Sequence, residues 1–123
     1  MRPLGISILL ALILGSNAVA DEATMNAEID YLLETVATSG CTFIRNGSEH
    51  DADAARDHLA LKRRRGKRYF DSAEEFIERI ASKSSWSGKA YRIRCEDNEV
   101  TAQSWFEAAL ARHRSTADGA SDP

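Results

Sequence analysis

Two cysteines constrain this chain most. Cys41 and Cys95 are the only ones in its 123 residues. Each lies at one end of a short run of strand-forming residues, Cys41-Thr42-Phe43-Ile44-Arg45 and Tyr91-Arg92-Ile93-Arg94-Cys95. A bond between them would dictate which parts of the chain lie side by side, and whether it forms depends on the compartment. The first twenty residues address that. Arg2 supplies a positive start, Leu4 to Leu14 is an apolar run too short to cross a bilayer as a stable helix, and Ala18-Val19-Ala20 is a small-x-small cleavage site followed by acidic Asp21-Glu22. Met1 to Ala20 therefore reads as a signal peptide cleaved after Ala20, and the expected location is the periplasm. No cysteine follows the apolar run to carry a lipid, and no other stretch is apolar enough to span a membrane, so no transmembrane anchor is expected after cleavage. In an oxidising compartment two cysteines of a small domain are expected to pair. The loop they close has 55 residues, for which the chain-entropy model gives roughly 4 kcal/mol. That is a large share of the roughly 5–15 kcal/mol that holds a small domain together. A catalytic redox pair has close spacing such as C-x-x-C. This spacing points to a structural staple.

Without residues 1–20 the chain loses one basic residue, Arg2, and no acidic one, leaving 15 basic side chains against 19 acidic. Phosphate neutralisation along a nucleic acid needs an excess of Lys and Arg, so nucleic acid is not the expected partner. Residues 21–114 are long enough for one globular domain with one modest core. Residues 115–123 are small and polar, and are expected to be a disordered tail.

Hydrophobic spacing predicts four short helices. Met25, Ile29, Leu32, Leu33 and Val36 share one face of a helix from about Glu22 to Ser39, and Gly40 stops it. Asp51 to about Arg65 is the second, with an acidic first turn, a basic last turn and a thin apolar face of Ala52, Ala55 and Leu59. Ser72 and Glu75 form a capping box for the third, whose stripe is Ala73, Phe76, Ile77, Ile80 and Ala81. Thr101 caps the fourth, with Ala102, Trp105, Phe106, Ala109 and Leu110 inward. Asn46-Gly47 is a turn signal, but the polar residues after it point to a helix rather than a second strand. The two cysteine-bearing runs are expected to pair antiparallel, Cys41 near Cys95, Phe43 near Ile93 and Arg45 near Tyr91. The fold class is thus mainly α, about four short helices with a minimal two-stranded β ribbon, bordering on α+β. A purely helical domain with extended linkers is the alternative.

Several separated motifs occur together: Ser39-Gly40-Cys41-Thr42-Phe43-Ile44-Arg45-Asn46-Gly47, then Ala55, His58-Leu59 and Lys62, then Glu75-Phe76-Ile77, Ile80-Ala81-Ser82-Lys83-Ser84-Ser85 and Ser87-Gly88-Lys89-Ala90-Tyr91, with Trp105 near the end. In this order they resemble the YfeK-like family of small exported bacterial proteins, a domain of unknown function. The resemblance covers roughly Ile29 to Leu110. It implies export and brings no established activity, so no catalytic residue carries over.

Candidate chemistry rests on the residues alone. In Ser84-Ser85-Trp86-Ser87-Gly88-Lys89, the hydroxyls of Ser84, Ser85 and Ser87 and the Lys89 ammonium can converge on a phosphate or carboxylate. The segment is not a P-loop, because the first glycine is missing and Ala90 stands where Ser or Thr would bind magnesium. The competing reading is a loop whose hydroxyls satisfy the end of the preceding helix. His58 and Lys62 lie one helical turn apart, and His58 titrates near neutrality unless it is buried. Arg45 can clamp an anion bidentately, with Asn46 either in a left-handed turn or capping the next helix. Lys62, Arg63, Arg64, Arg65, Lys67 and Arg68 make a basic patch, either solvated or facing an anionic envelope component. Trp86 is off the helical pattern and is read as exposed. No histidine pair has metal-ligand spacing, and neither metal nor cofactor is expected. The reading these residues favour is a non-enzymatic periplasmic module binding an envelope protein or an anionic envelope component. The alternative is a small hydrolase or transferase built from Ser85 or Ser87 with Lys89 or His58.

Overall fold

Asn46 and Gly47 both take left-handed backbone, φ 51° and 82°, which is what a two-residue hairpin turn requires. The chain therefore doubles back on itself here instead of entering a helix. This hairpin is the main departure from expectation, and it is seen in a computed structural model that describes residues 16–120 and places side chains for 21–117. The elements are α1 (Ser16–Ala37), β1 (Thr42–Arg45), β2 (Ser48–His50), α2 (Ala52–Arg65), a 3₁₀ turn (Lys67–Tyr69), α3 (Ala73–Phe76) running on into a π turn (Ile77–Ala81), β3 (Arg92–Cys95), β4 (Asn98–Thr101) and α4 (Ala102–Ala120). Four helices thus pack with a four-stranded antiparallel sheet of order β2-β1-β3-β4. The expected two-stranded ribbon is its centre. A second hairpin, turning at Glu96 with φ 57°, adds β4 on the other side. Most of the expected signal peptide, residues 1–15, lies outside the described residues. The tail expected to be disordered from Ser115 is helical through Ala120, while 121–123 lie outside the described residues.

The central register follows the expected pairing. Phe43 faces Ile93, with Thr42 opposite Arg94 and Ile44 opposite Arg92. One step further on, Cys41 and Cys95 are bonded, their Cα atoms 4.5 Å apart, the separation of directly opposed residues that exchange no hydrogen bonds. Alternation then sorts the two faces. Cys41, Phe43, Tyr91 and Ile93 are buried against the helices, with α2 against β1 and α4 against β3 and β4. The outer face carries a charge ladder in which Arg94 meets Glu49 at 3.0 Å and Arg92 meets Glu99 at 2.7 Å.

The helical stripes meet in one core. Ile29, Leu32, Leu33 and Val36 of α1, Ala55 and Leu59 of α2, the full stripe Ala73 to Ala81, and Ala102, Phe106, Ala109 and Leu110 of α4 are all buried. Met25 and Trp105 pack at its edge. Caps hold the helix starts: Asp51 Oδ1 accepts from Ala54 N (2.8 Å), Ser72 Oγ from Glu75 N (3.1 Å) and Thr101 Oγ1 from Ser104 N (3.2 Å). The end of α2 runs close against the π turn. A Cβ on Gly66 would stand 2.6 Å from Ile80 Cδ1 and 3.1 Å from the Lys62 carbonyl. This close approach brings the basic end of α2 alongside the loop that follows α3.

Candidate functional site

Where the end of α2, the π turn and one end of the sheet converge, they leave an open cleft of ≈ 790 Å³. The last turns of α2 give it His58, Lys62 and Arg65. The 3₁₀ turn gives Arg68 and Tyr69, and the π turn gives Arg79 and Ile80. The following loop gives Lys83, Ser84, Ser85 and Trp86, and the sheet gives Arg45, Asn46 and Tyr91. Six of the lining side chains are cationic (Arg45, Lys62, Arg65, Arg68, Arg79 and Lys83), and one, Asp71, is a carboxylate. Among the described residues, only Arg79 of those six has a carboxylate partner, Glu75 at 3.2 Å. Arg45, Lys62, Arg65, Arg68 and Lys83 have none.

Lys62 is half-buried in this arrangement. Its ammonium donates to the Lys83 carbonyl (2.8 Å) and to the Tyr91 hydroxyl (3.0 Å), 4.8 Å from the centre of the Tyr91 ring. Burial, and then the charge of Arg45, lower its pKa to about 8. Beside it, burial followed by the charges of Arg45, Lys62 and His50 lower the pKa of His58 to about 4. The imidazole of His58 is therefore neutral at pH 7, and its buried Nε2 has no hydrogen-bond partner among the described residues. A base with that pKa is a weak one at neutral pH.

The serine loop is held by the hairpin turn. Ser84 Oγ accepts from Trp86 N (3.2 Å), Ser87 N (3.1 Å) and Asn46 Nδ2 (3.3 Å). Ser87 Oγ donates to Asn46 Oδ1 (2.6 Å) and accepts from Lys89 N (3.2 Å). Asn46 thus does two things at once. Its backbone makes the β1–β2 turn, and its amide clamps a loop 38 to 41 residues further on. The Ser84 oxygen accepts all three of its bonds within this clamp, and the Ser87 hydroxyl both donates and accepts within it. Ser85 reaches the cleft, whereas Ser87 and Lys89 do not line it. No hydrogen bond joins any of these serines to His58 or to the Lys89 ammonium among the described residues.

Of the basic patch, Lys62, Arg65 and Arg68 face the cleft. Arg63 turns away to α1, where it pairs with Asp30 at 2.6 Å and reaches the Asn26 side chain at 3.2 Å. Arg64 and Lys67 are exposed outside the cleft. Residue patterns alone give no sign of Tyr69, Asp71 or Arg79 as site residues, and mark Lys83 and Tyr91 only as motif and strand residues. Arg79 and Lys83 follow each other at helical spacing just before the serine loop, a signal that gains meaning only once α2 is known to lie alongside.

No solved structure matches this chain. An uncharacterized protein, YfeK, from Salmonella typhimurium is 38% identical over 87 residues, which is 70% of this chain and 70% of that protein. The cleft-forming elements all fall within the stretch shared with a family of unknown function. That family, DUF5329, matches residues 23–114, and this YfeK-like chain belongs to it.

Proposed function

We propose that the protein is an exported, non-enzymatic binding module whose cleft takes an anionic component of the bacterial envelope. The observation that carries this reading is the set of five cleft cations without a carboxylate partner, in a chain whose formal net charge is −3. Like charges gathered at one place oppose folding, and a counter-charge that arrives with a ligand relieves the repulsion. Arg side chains are also suited to bidentate contacts with phosphate or carboxylate. The disulfide fits an oxidising compartment, and among the described residues no helix is long and apolar enough to cross a membrane. The Ser87 hydroxyl is engaged by Asn46 and Lys89 N, no hydrogen bond joins Ser85 to His58 among the described residues, and His58 is a weak base; together these favour binding over hydrolysis or transfer.

The test is calorimetric titration with inorganic pyrophosphate, a compact polyanion, at low and high salt. Saturable binding that weakens with salt and is lost in Arg65→Glu/Arg68→Glu is the expected result. These two side chains are exposed, so the double reversal leaves the core intact. Binding unchanged by the reversal, or no binding at low salt, refutes the reading. Envelope crosslinking of the wild type beside the same variant then identifies the natural partner.

A further inference from the structure

The cleft is too large and too varied for a bare inorganic anion. Its ≈ 790 Å³ falls in the range of sites that hold organic ligands of several rings or groups. One wall is aromatic. Trp86 is 92% exposed, yet its backbone is held by the Ser84 hydroxyl at 3.2 Å in a loop closed by Ser84 N to Lys89 O (2.9 Å) and Gly88 N to Ser84 O (3.0 Å). A fully exposed indole on a braced loop keeps a large apolar face in water. Tyr69, 52% exposed, lies below the Arg68 guanidinium at 5.1 Å. The cleft also offers a polar group that an anion alone does not need. The Asp71 carboxylate repels an anion but accepts hydrogen bonds from hydroxyls.

We propose that the ligand is a phosphorylated saccharide. Its phosphate meets Arg45, Arg65 and Arg68, the C–H face of its sugar ring lies on Trp86, and its hydroxyls bond Asp71. This deepens, and rests on, the anion-binding reading of the same cleft. It assigns each unmatched feature a counterpart: cations to phosphate, the carboxylate to hydroxyls and the indole to the apolar face of a pyranose. A planar nucleotide base would account for the indole equally, but it would make less use of a carboxylate set among cations. The same chemistry is available from a soluble sugar phosphate or from the headgroup of a glycolipid.

The experiment uses the mature chain carrying Trp105→Phe, so that Trp86 is the sole indole, titrated with glucose 1-phosphate, glucose, inorganic phosphate and AMP while its fluorescence is followed. Glucose 1-phosphate is expected to shift the Trp86 emission and to bind at least about tenfold tighter than inorganic phosphate. In calorimetry Trp86→Ala removes that advantage and leaves phosphate affinity unchanged. Equal affinity for glucose 1-phosphate and phosphate, an advantage that survives Trp86→Ala, or tighter binding of AMP overturns the saccharide proposal while the anion reading stands. Failure of every anion, with pyrophosphate also unbound, fells both. Co-sedimentation with vesicles separates the sources. Retention on lipopolysaccharide vesicles but not on phosphatidylglycerol vesicles of equal charge places the sugar on a lipid, and glucose 1-phosphate binding without retention places it in solution. Equal retention on both vesicles means charge alone is recognised, which overturns the proposal.

Discussion

Lys62→Met converts the unusual setting of one amine into a measurable pH dependence. In the folded protein, burial and the nearby Arg45 charge hold the Lys62 pKa at about 8, against its ordinary 10.5. Between those two pH values the unfolded chain carries a proton at this position that the folded chain lacks. The unfolded state therefore binds more protons, and stability rises as the pH climbs through the window. At 1.36 kcal/mol per pH unit the whole gap corresponds to about 3 kcal/mol. The ammonium is partly exposed, and solvent screening reduces this to about 1–2 kcal/mol. The assay is urea unfolding of wild type and Lys62→Met at closely spaced pH values from neutral to about 10.5. Subtracting the variant cancels the titrations common to both chains. Its lost hydrogen bonds to Lys83 O and the Tyr91 hydroxyl add a constant offset only while those two groups keep their setting. Both cysteines are bonded and no thiol is free among the described residues, so alkaline disulfide exchange has no internal initiator. The difference should grow by about 1–2 kcal/mol across the window, and the growth should shrink in saturating pyrophosphate, because a bound anion favours the charged amine. A flat difference would refute the account of Lys62 and weaken the picture of a cleft whose cations lack counter-charge.

Three further perturbations probe the frame around the cleft. Replacing Cys41 and Cys95 together by serine should lower unfolding free energy by up to about 4 kcal/mol in denaturant titration, and a loss below about 1 kcal/mol would show that the cross-link constrains little of the unfolded chain. Asn46→Ala loses both the clamp and a residue tolerant of left-handed backbone, for about 2 kcal/mol, whereas Asn46→Gly keeps the turn and loses about half that. Equal losses in thermal melts would show that the turn conformation is not what Asn46 supplies. Arg114 holds the buried Glu28 at 2.7 and 3.0 Å and Glu74 at 2.7 and 3.1 Å. Arg114→Ala should cost about 2 kcal/mol by urea titration and Arg114→Ala/Glu28→Gln less, since the double change leaves no buried carboxylate unpaired; the reverse order would refute this.

The helical half of the fold is written in repeated spacing. Stripes such as Ala73 to Ala81 are buried whether the turn is α or π, because both geometries keep these positions on one side. The central strand pair could be registered because the cysteines fall at matching distances from Phe43 and Ile93. The outer strands are harder to read. Ser48-Glu49-His50 has no apolar alternation, and its pairing is enforced by the Asn46-Gly47 turn, not by any hydrophobic demand of its own. At the second hairpin Asp97 and Asn98 mark a turn over Glu96 to Glu99, but a glutamate takes the left-handed conformation usually left to glycine or asparagine, so nothing in the sequence flags a tight return into β4. The cleft was visible in pieces. Arg45, His58, Lys62 and the serine loop stood out as residue types, but their convergence depends on the close passage at Gly66. The Ser84 and Ser87 hydroxyls are bonded to a partner some forty residues earlier, which local spacing does not reveal.

The outer strands also bear on edge-to-edge association between copies of this chain. A sheet ending in β2 and β4 presents open backbone donors and acceptors on two sides, which another copy could extend. Here those margins are three and four residues long, too brief to template a stable addition. The ladder that links Glu49, Arg94, Glu99 and Arg92 makes the face beside them costly to dehydrate. Ile44 is the lone large apolar side chain on that face. A crowded solution therefore finds little on the sheet to polymerise, even though the chain is small and its core modest. Replacing Glu49 and Glu99 by valine would test this directly, as concentration-dependent association appearing where the native ladder prevents it.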